Sequence, residues 1–193
     1  MNKLFNQIIL LVLMLSLLSA CGFRLRGASN LPSSIKYAVI DGVAQYSEVG
    51  LAIKQQLESS GAKVLTTADV DTVHFVVLQN KFTRRVLSVN ASGTANEYEL
   101  AYAFSMRVQD PKGKWLVAER PINLNRNYIY DPSQALAKSD EELTIRSQMI
   151  SLAVRQSMRR IGIKLRQLSS AGSSSGNASQ VEIPVKNNEI NKK

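Results

Sequence analysis

Residues 97–108, EYELAYAFSMRV, constrain the fold more than any other stretch of the chain. Tyr98, Leu100, Tyr102, Phe104, Met106 and Val108 alternate with Glu97, Glu99, Ala101, Ala103, Ser105 and Arg107. Successive side chains of a strand point to opposite faces. A period of two therefore predicts a strand with a buried apolar face and a solvated opposite face. Such a strand needs paired neighbours and a covering layer.

The flanking sequence supplies both. VHFVVLQNKFTRRVLSV, at 73–89, is rich in β-branched and aromatic residues and reads as one long strand or two. NASG at 90–93 is the turn between it and the alternating strand, and DPKGK at 110–114 is the next turn. WLVAERPINLNRNYIYD reads as a further strand, with Pro121 marking a bulge or an edge. Upstream, YAVIDG at 37–42 ends in a turn signal and reads as the first strand, and KVL at 63–65 is a candidate short strand.

Two segments carry helical periodicity. Val49, Ile53 and Leu57 share one helix face, and Gly61 is placed to close that helix. Leu143, Ile150, Val154, Met158, Ile161, Leu165 and Leu168 form a longer stripe. Ser139 with Glu142 has the form of a capping box at its start. Arg155, Arg159 and Arg166 lie off the stripe, as a solvated face or, alternatively, a membrane-surface face. The expected class is α+β. Two helices would pack on one face of a mostly antiparallel four-stranded sheet, in the order β-α-β-β-β-α.

The N-terminus has a different character. Residues 8–18 are uncharged and apolar, preceded by Lys3 and followed by Ser19 and Ala20. As a helix this run would span about 16 Å, roughly half of a ~30 Å hydrocarbon core. It reads as a secretory signal peptide. Leu18, Ser19, Ala20 and Cys21 also match the bacterial lipobox, in which the cysteine becomes the lipidated first residue. A plain signal peptide with an incidental cysteine is the alternative. Cys21 is the only cysteine, so the domain must fold on its core without a disulfide. Gly22 follows it where an Asp would retain a lipoprotein in the inner membrane, which points to the outer membrane. The expected organisation is a signal peptide at 1–20, a lipidated tether at 21–35, one domain at 36–168 and a disordered tail at 169–193.

The formal charge is +9 at pH 7. Such an excess suits an anionic partner or simply a basic solvated surface. Export argues against nucleic acid and leaves phospholipid or a phosphorylated glycolipid. Arg84 and Arg85 precede the 90–93 turn, while Arg126, Tyr128 and Tyr130 alternate near the end of the last strand and Lys138 precedes Ser139. Together they would make a cationic, aromatic rim suited to phosphate. Ordinary solvated charges are the alternative.

No catalytic constellation emerges. His74, the only histidine, sits in an apolar strand-like run and reads as structural. One histidine and one lipidated cysteine do not make an ordinary zinc site. Phosphate-binding glycine loops and a Gly-x-Ser-x-Gly elbow are absent. Glu97 and Glu99 could in principle work as an acid–base pair, on the face expected to be solvated. The chain is read as a non-enzyme without a cofactor or metal.

Four segments taken together resemble the LPS-assembly lipoprotein (LptE) family: CGFRLRG at 21–27, LPSSIK at 31–36, RRVLSVNASGTANEYEL at 84–100 and ALAKSDEEL at 135–143. The resemblance covers about 21–168 and is continuous in order. It implies a lipid-anchored protein of the outer membrane, facing the periplasm, that plugs and helps assemble the β-barrel LptD. It also implies lipopolysaccharide binding and aid to its insertion into the outer leaflet. Lys138 matches the family's basic residue after Ala-Leu-Ala, with Arg84 and Arg85 as nearby candidates. Ala91 stands where some relatives carry a basic residue. The alternative is a stand-alone lipoprotein that binds anionic lipid or glycan.

Overall fold

The computed structural model describes Gln7, residues 31–32 and residues 34–174. The expected signal peptide apart from Gln7, the expected lipidation site Cys21, residues 22–30, Ser33 and residues 175–193 lie outside the described residues. The elements are β1 (Tyr37–Asp41), α1 (Glu48–Glu58), β2 (Lys63–Val64), β3 (Thr72–Val89), β4 (Ala95–Gln109), β5 (Trp115–Val117) and β6 (Ile122–Ile129). A 3-10 turn (Pro132–Gln134) and α2 (Ala135–Ser174) complete the chain.

The sheet has six strands, not four, and it is mixed. Its order is β2-β1-β3-β4-β5, and β6 also pairs with β4. β1 runs parallel to both β2 and β3, while β3, β4, β5 and β6 pair antiparallel. The parallel pairing has a topological cause. α1 carries the chain back over the sheet after β1, and β2 and β3 then re-enter in the direction of β1. The stretch expected as one strand around Pro121 is two. β5 pairs near Val108, β6 pairs along Glu97 to Phe104, and the proline, which has no N–H to donate, lies between them.

The alternating strand folds as its pattern requires. Leu100, Tyr102, Phe104, Met106 and Val108 are buried beneath the helices, and Tyr98 is half-buried at the end of the row. α1 buries Val49, Ile53 and Leu57 against them. Ser47 caps its start by accepting from the Gly50 N–H at 3.1 Å. Gly61, at φ 88°, closes its end by donating its N–H to the Glu58 carbonyl at 2.9 Å. α2 buries Met149, Ile150, Ala153, Val154, Met158, Ile161 and Leu165 on the same face.

The start of α2 differs from expectation. Ser139 is inside the helix, which begins four residues earlier at Ala135. Asp131 caps the preceding turn by accepting from the Ser133 N–H at 2.9 Å, and Pro132 presets that turn. Ala135, Leu136, Ala137 and Lys138 favour helix strongly, so the helix propagates directly from the turn. At the other end α2 reaches Ser174, so residues 169–174 of the expected tail are helical. Small residues and serines there are compatible with continuing a helix already nucleated.

Candidate functional site

The site is built where the distal half of the β3–β4 hairpin meets the first turns of α2. A bulge between Val77 and Gln79 shifts the alternation of β3. Before it Phe75 and Val77 face the helices, and after it Phe82, Arg84 and Val86 share the helix face with Tyr102, Leu100 and Tyr98. Arg84 therefore projects toward α2, and Arg85 projects to the uncovered face.

Arg84 is held by three groups. Its Nη1 lies 3.5 Å from Glu142 Oε2, its guanidinium sits 3.7 Å from the Tyr98 ring centre, and Tyr130 is 5.8 Å away. Tyr98 in turn stacks near Tyr128 at 5.8 Å and meets the Tyr130 edge at 5.3 Å. Glu142 is the hub. It accepts from the Tyr128 hydroxyl at 2.5 Å and from Arg146 Nε and Nη2 at 3.0 and 2.7 Å. Its side chain is only 14% exposed. Burial opposes ionisation of Glu142, but the hydrogen bonds from Tyr128 and Arg146 and the charges of Arg84 and Arg146 outweigh it. They hold the carboxyl below its ordinary value. Burial, followed by the bond to Glu142, pushes the Tyr128 hydroxyl far upward, so it remains a donor.

Lys138 lies one turn before Glu142 on the same side of α2. Its Nζ pairs with Glu141 Oε2 at 2.8 Å, and its side chain is 20% exposed. Its charge also reaches Asp131, whose carboxyl is lowered chiefly by the Ser133 hydrogen bonds, with Gln134 and Lys138 adding to the effect. Arg84 and Lys138 thus share one corner of the molecule.

Arg85 does not join them. Its Nε donates to Glu99 Oε1 at 2.7 Å on the opposite face of the sheet. Glu99 raises the Arg85 guanidinium above its ordinary value, first by that hydrogen bond and then by its charge. Glu99 is buried, contrary to the expectation of a solvated carboxylate pair, because Arg85 folds over it from β3. Arg126 faces the helix side but stands apart from the corner, beside a shallow hollow lined by Leu124, Gln148, Met149 and Leu152. His74 contacts Asp41 through Nδ1 at 2.8 Å on the uncovered face.

Sequence reasoning missed Glu142 as a hub and Arg146 as its partner. Their spacing of four residues was the available signal. Among the described residues no group of three or more His, Cys, Asp or Glu could hold a metal. No described helix is long and apolar enough to cross a membrane.

Two helices on one face of a mixed sheet, with a basic aromatic corner, define a small α+β domain of a kind seen in bacterial lipoproteins. The solution structure of lipoprotein B from Nitrosomonas europaea is similar at 28% identity and a TM-score of 0.59, covering 80% of this chain and 96% of that one. The rare lipoprotein B from Shewanella oneidensis shares the fold at 22% identity and a TM-score of 0.53, covering 74% of this chain and all of that one. The family model LptE, Lipopolysaccharide-assembly, matches residues 37–161, and the chain belongs to that family. The LPS-assembly lipoprotein LptE of Pectobacterium atrosepticum is 26% identical over 163 residues, 83% of this chain and 85% of that protein. That of Photorhabdus laumondii is 27% identical over 158 residues, 81% of this chain and 86% of that protein.

Proposed function

We propose that this protein is a lipid-anchored lipoprotein of the outer membrane that binds lipopolysaccharide during its assembly. It faces the periplasm, and its partner is an LptD-like β-barrel, which it plugs and helps to assemble. The role is one of binding and assembly rather than catalysis. Cys21 carries the acyl chains, and more than one chain is needed for stable anchoring.

The observation that carries the reading is the corner shared by Arg84 and Lys138, in a chain of the LptE family. A guanidinium has five N–H donors in a planar fork, and Arg84 directs Nη1 at Glu142. Lys138 offers a compact charge one helical turn away. Phosphate groups of a glycolipid fit such a pair, and the tyrosines give the sugar and acyl portions an amphipathic surface. Arg85 is on the other face and would contribute to the general field, not to the same phosphate.

Extraction of the full chain from membranes in mild detergent tests the reading. A β-barrel partner and lipopolysaccharide are expected to co-purify. Recovery with lipopolysaccharide but no barrel would favour a stand-alone lipid-binding lipoprotein. Labelling of the wild-type chain, but not Cys21→Ala, by metabolic palmitate tests the anchor.

A further inference from the structure

The second half of α2 carries a feature that the Arg84–Lys138 corner does not use. Between residues 143 and 174 there is no Asp or Glu, against six Arg and Lys. Arg155, Arg159 and Arg166 are exposed and are spaced by four and eleven residues, about one and three helical turns. They therefore form one stripe, roughly a third of a turn around the helix from the buried row of Val154, Met158, Ile161 and Leu165. Ile163, 46% exposed, lies beside the stripe, with Arg160 and Lys164 further around the exposed side of the helix. None of these cations is in an ion pair among the described residues. With its apolar row buried against the sheet, α2 meets solvent here through unneutralised arginines, which complement an anionic bilayer surface electrostatically.

The fold says where this stripe sits. Glu142 meets Tyr128 near the tip of the hairpin, while Met149 and Leu152 flank Leu124 further back along β6. α2 thus runs away from the tip toward the opposite end of the sheet. That end holds Tyr37 and Thr72, the paired first residues of β1 and β3. Residues 34–36 lead into β1 there, with Ile35 buried in the core. Only nine residues separate Cys21 from Leu31, a reach of about 36 Å at most. The chain therefore enters the fold at the end that carries the basic stripe, and the Arg84–Lys138 corner lies at the other.

We infer that Arg155, Arg159 and Arg166 form a docking surface for anionic phospholipid headgroups of the leaflet that holds the anchor. The acyl chains fix the distance to the membrane, and the stripe fixes the orientation. The opposite, phosphate-binding corner is thereby held away from that leaflet. This inference rests on Cys21 being the anchor, but the surface is measurable without it.

The test uses the full-length chain carrying Cys21→Ala, so that acyl chains contribute nothing. Its co-sedimentation with vesicles rich in phosphatidylglycerol is compared with vesicles of phosphatidylcholine alone. Binding to the anionic vesicles is expected, weakening with salt. A chain that also carries Arg155→Gln, Arg159→Gln and Arg166→Gln is expected to bind them at least about ten-fold more weakly, since each basic residue near such a surface contributes. Equal binding by the triple variant, equal binding to neutral vesicles, or salt-independent binding by the unaltered stripe would each overturn the inference. So would retention on an acidic protein without vesicle binding. The salt titration needs no stripe substitution and so stands even if the triple variant folds poorly. Palmitate labelling of the wild type reports separately on the anchor.

Discussion

Arg84 of β3 and Glu142 of α2 meet at 3.5 Å, fifty-eight residues apart in sequence, and tie the hairpin to the helix that covers it. Glu142 also holds Arg146 and the Tyr128 hydroxyl, so one carboxylate joins three elements. Removing it would leave two guanidiniums and a phenol facing a site with no acceptor. Glu142→Ala is expected to lower unfolding stability by about 1–3 kcal/mol in urea titrations. Combined with Arg84→Ala in a double-mutant cycle, it should show a coupling energy well away from zero. Strict additivity would mean that the contact does not support the fold.

The same carboxyl makes stability depend on pH. Its folded-state value lies below the ordinary glutamate value of about 4.3. The stabilising contribution is therefore fully present above about pH 4.3 and is lost as pH falls through the lower folded value. Glu142→Gln should flatten that acid limb while changing the shape of the curve little at neutral pH. An unchanged acid limb would show that other carboxylates dominate.

Gly42 closes β1 at φ 85°, and a Cβ there would collide with the carbonyl of Val77. Val77 borders the bulge that sets the register of β3. Gly42→Ala must both strain the backbone and push on that carbonyl. A loss of about 1–3 kcal/mol is expected, within the range for residues forced into sparsely populated conformations. Gly93→Ala tests the contrast, since nothing lies within 4 Å of its Cβ position and only the positive φ of 80° is strained. It should cost less, and an equal loss would argue that the contact with Val77 is unimportant.

The two neighbouring arginines should behave differently in ligand binding. Arg84→Ala removes a cation from the corner that holds Lys138, whereas Arg85→Ala acts on the far side of the sheet. Lipopolysaccharide affinity is expected to fall more for Arg84→Ala, measured on folded protein by calorimetry at low salt. Equal losses would place the ligand across both faces.

The parts of the fold that local periodicity controls were legible in the sequence. The alternation at 97–108, the α1 stripe closed by Gly61 and the α2 stripe from Ile150 to Leu165 all needed only neighbouring residues, whereas Leu143 and Leu168, expected at the ends of the α2 stripe, are exposed beyond the reach of the sheet. The sheet order was not legible, because β1, β2 and β3 are joined by long-range pairing that no local pattern encodes. The start of α2 was misplaced because Ser139 resembles a cap, while Asp131 and Pro132 form the cap that operates. At the site, Lys138 and Arg84 were legible as cations, but the expected grouping with Arg85 does not form. The bulge between Val77 and Gln79 exchanges the faces of the β3 side chains from there to Val86, which puts Arg84 rather than Arg85 on the helix side. Adjacent arginines read as a pair in sequence, and the sheet separates them.

Lipopolysaccharide titrated onto the purified full chain, with and without its phosphates and with and without Lys138→Glu, tests the central claim most directly. Saturable binding is expected, weakened both by removing the phosphates and by placing a negative charge at Lys138, where it would repel them. Binding that is absent, or that ignores both the phosphates and Lys138→Glu, would contradict a phosphate-recognising corner at Arg84 and Lys138.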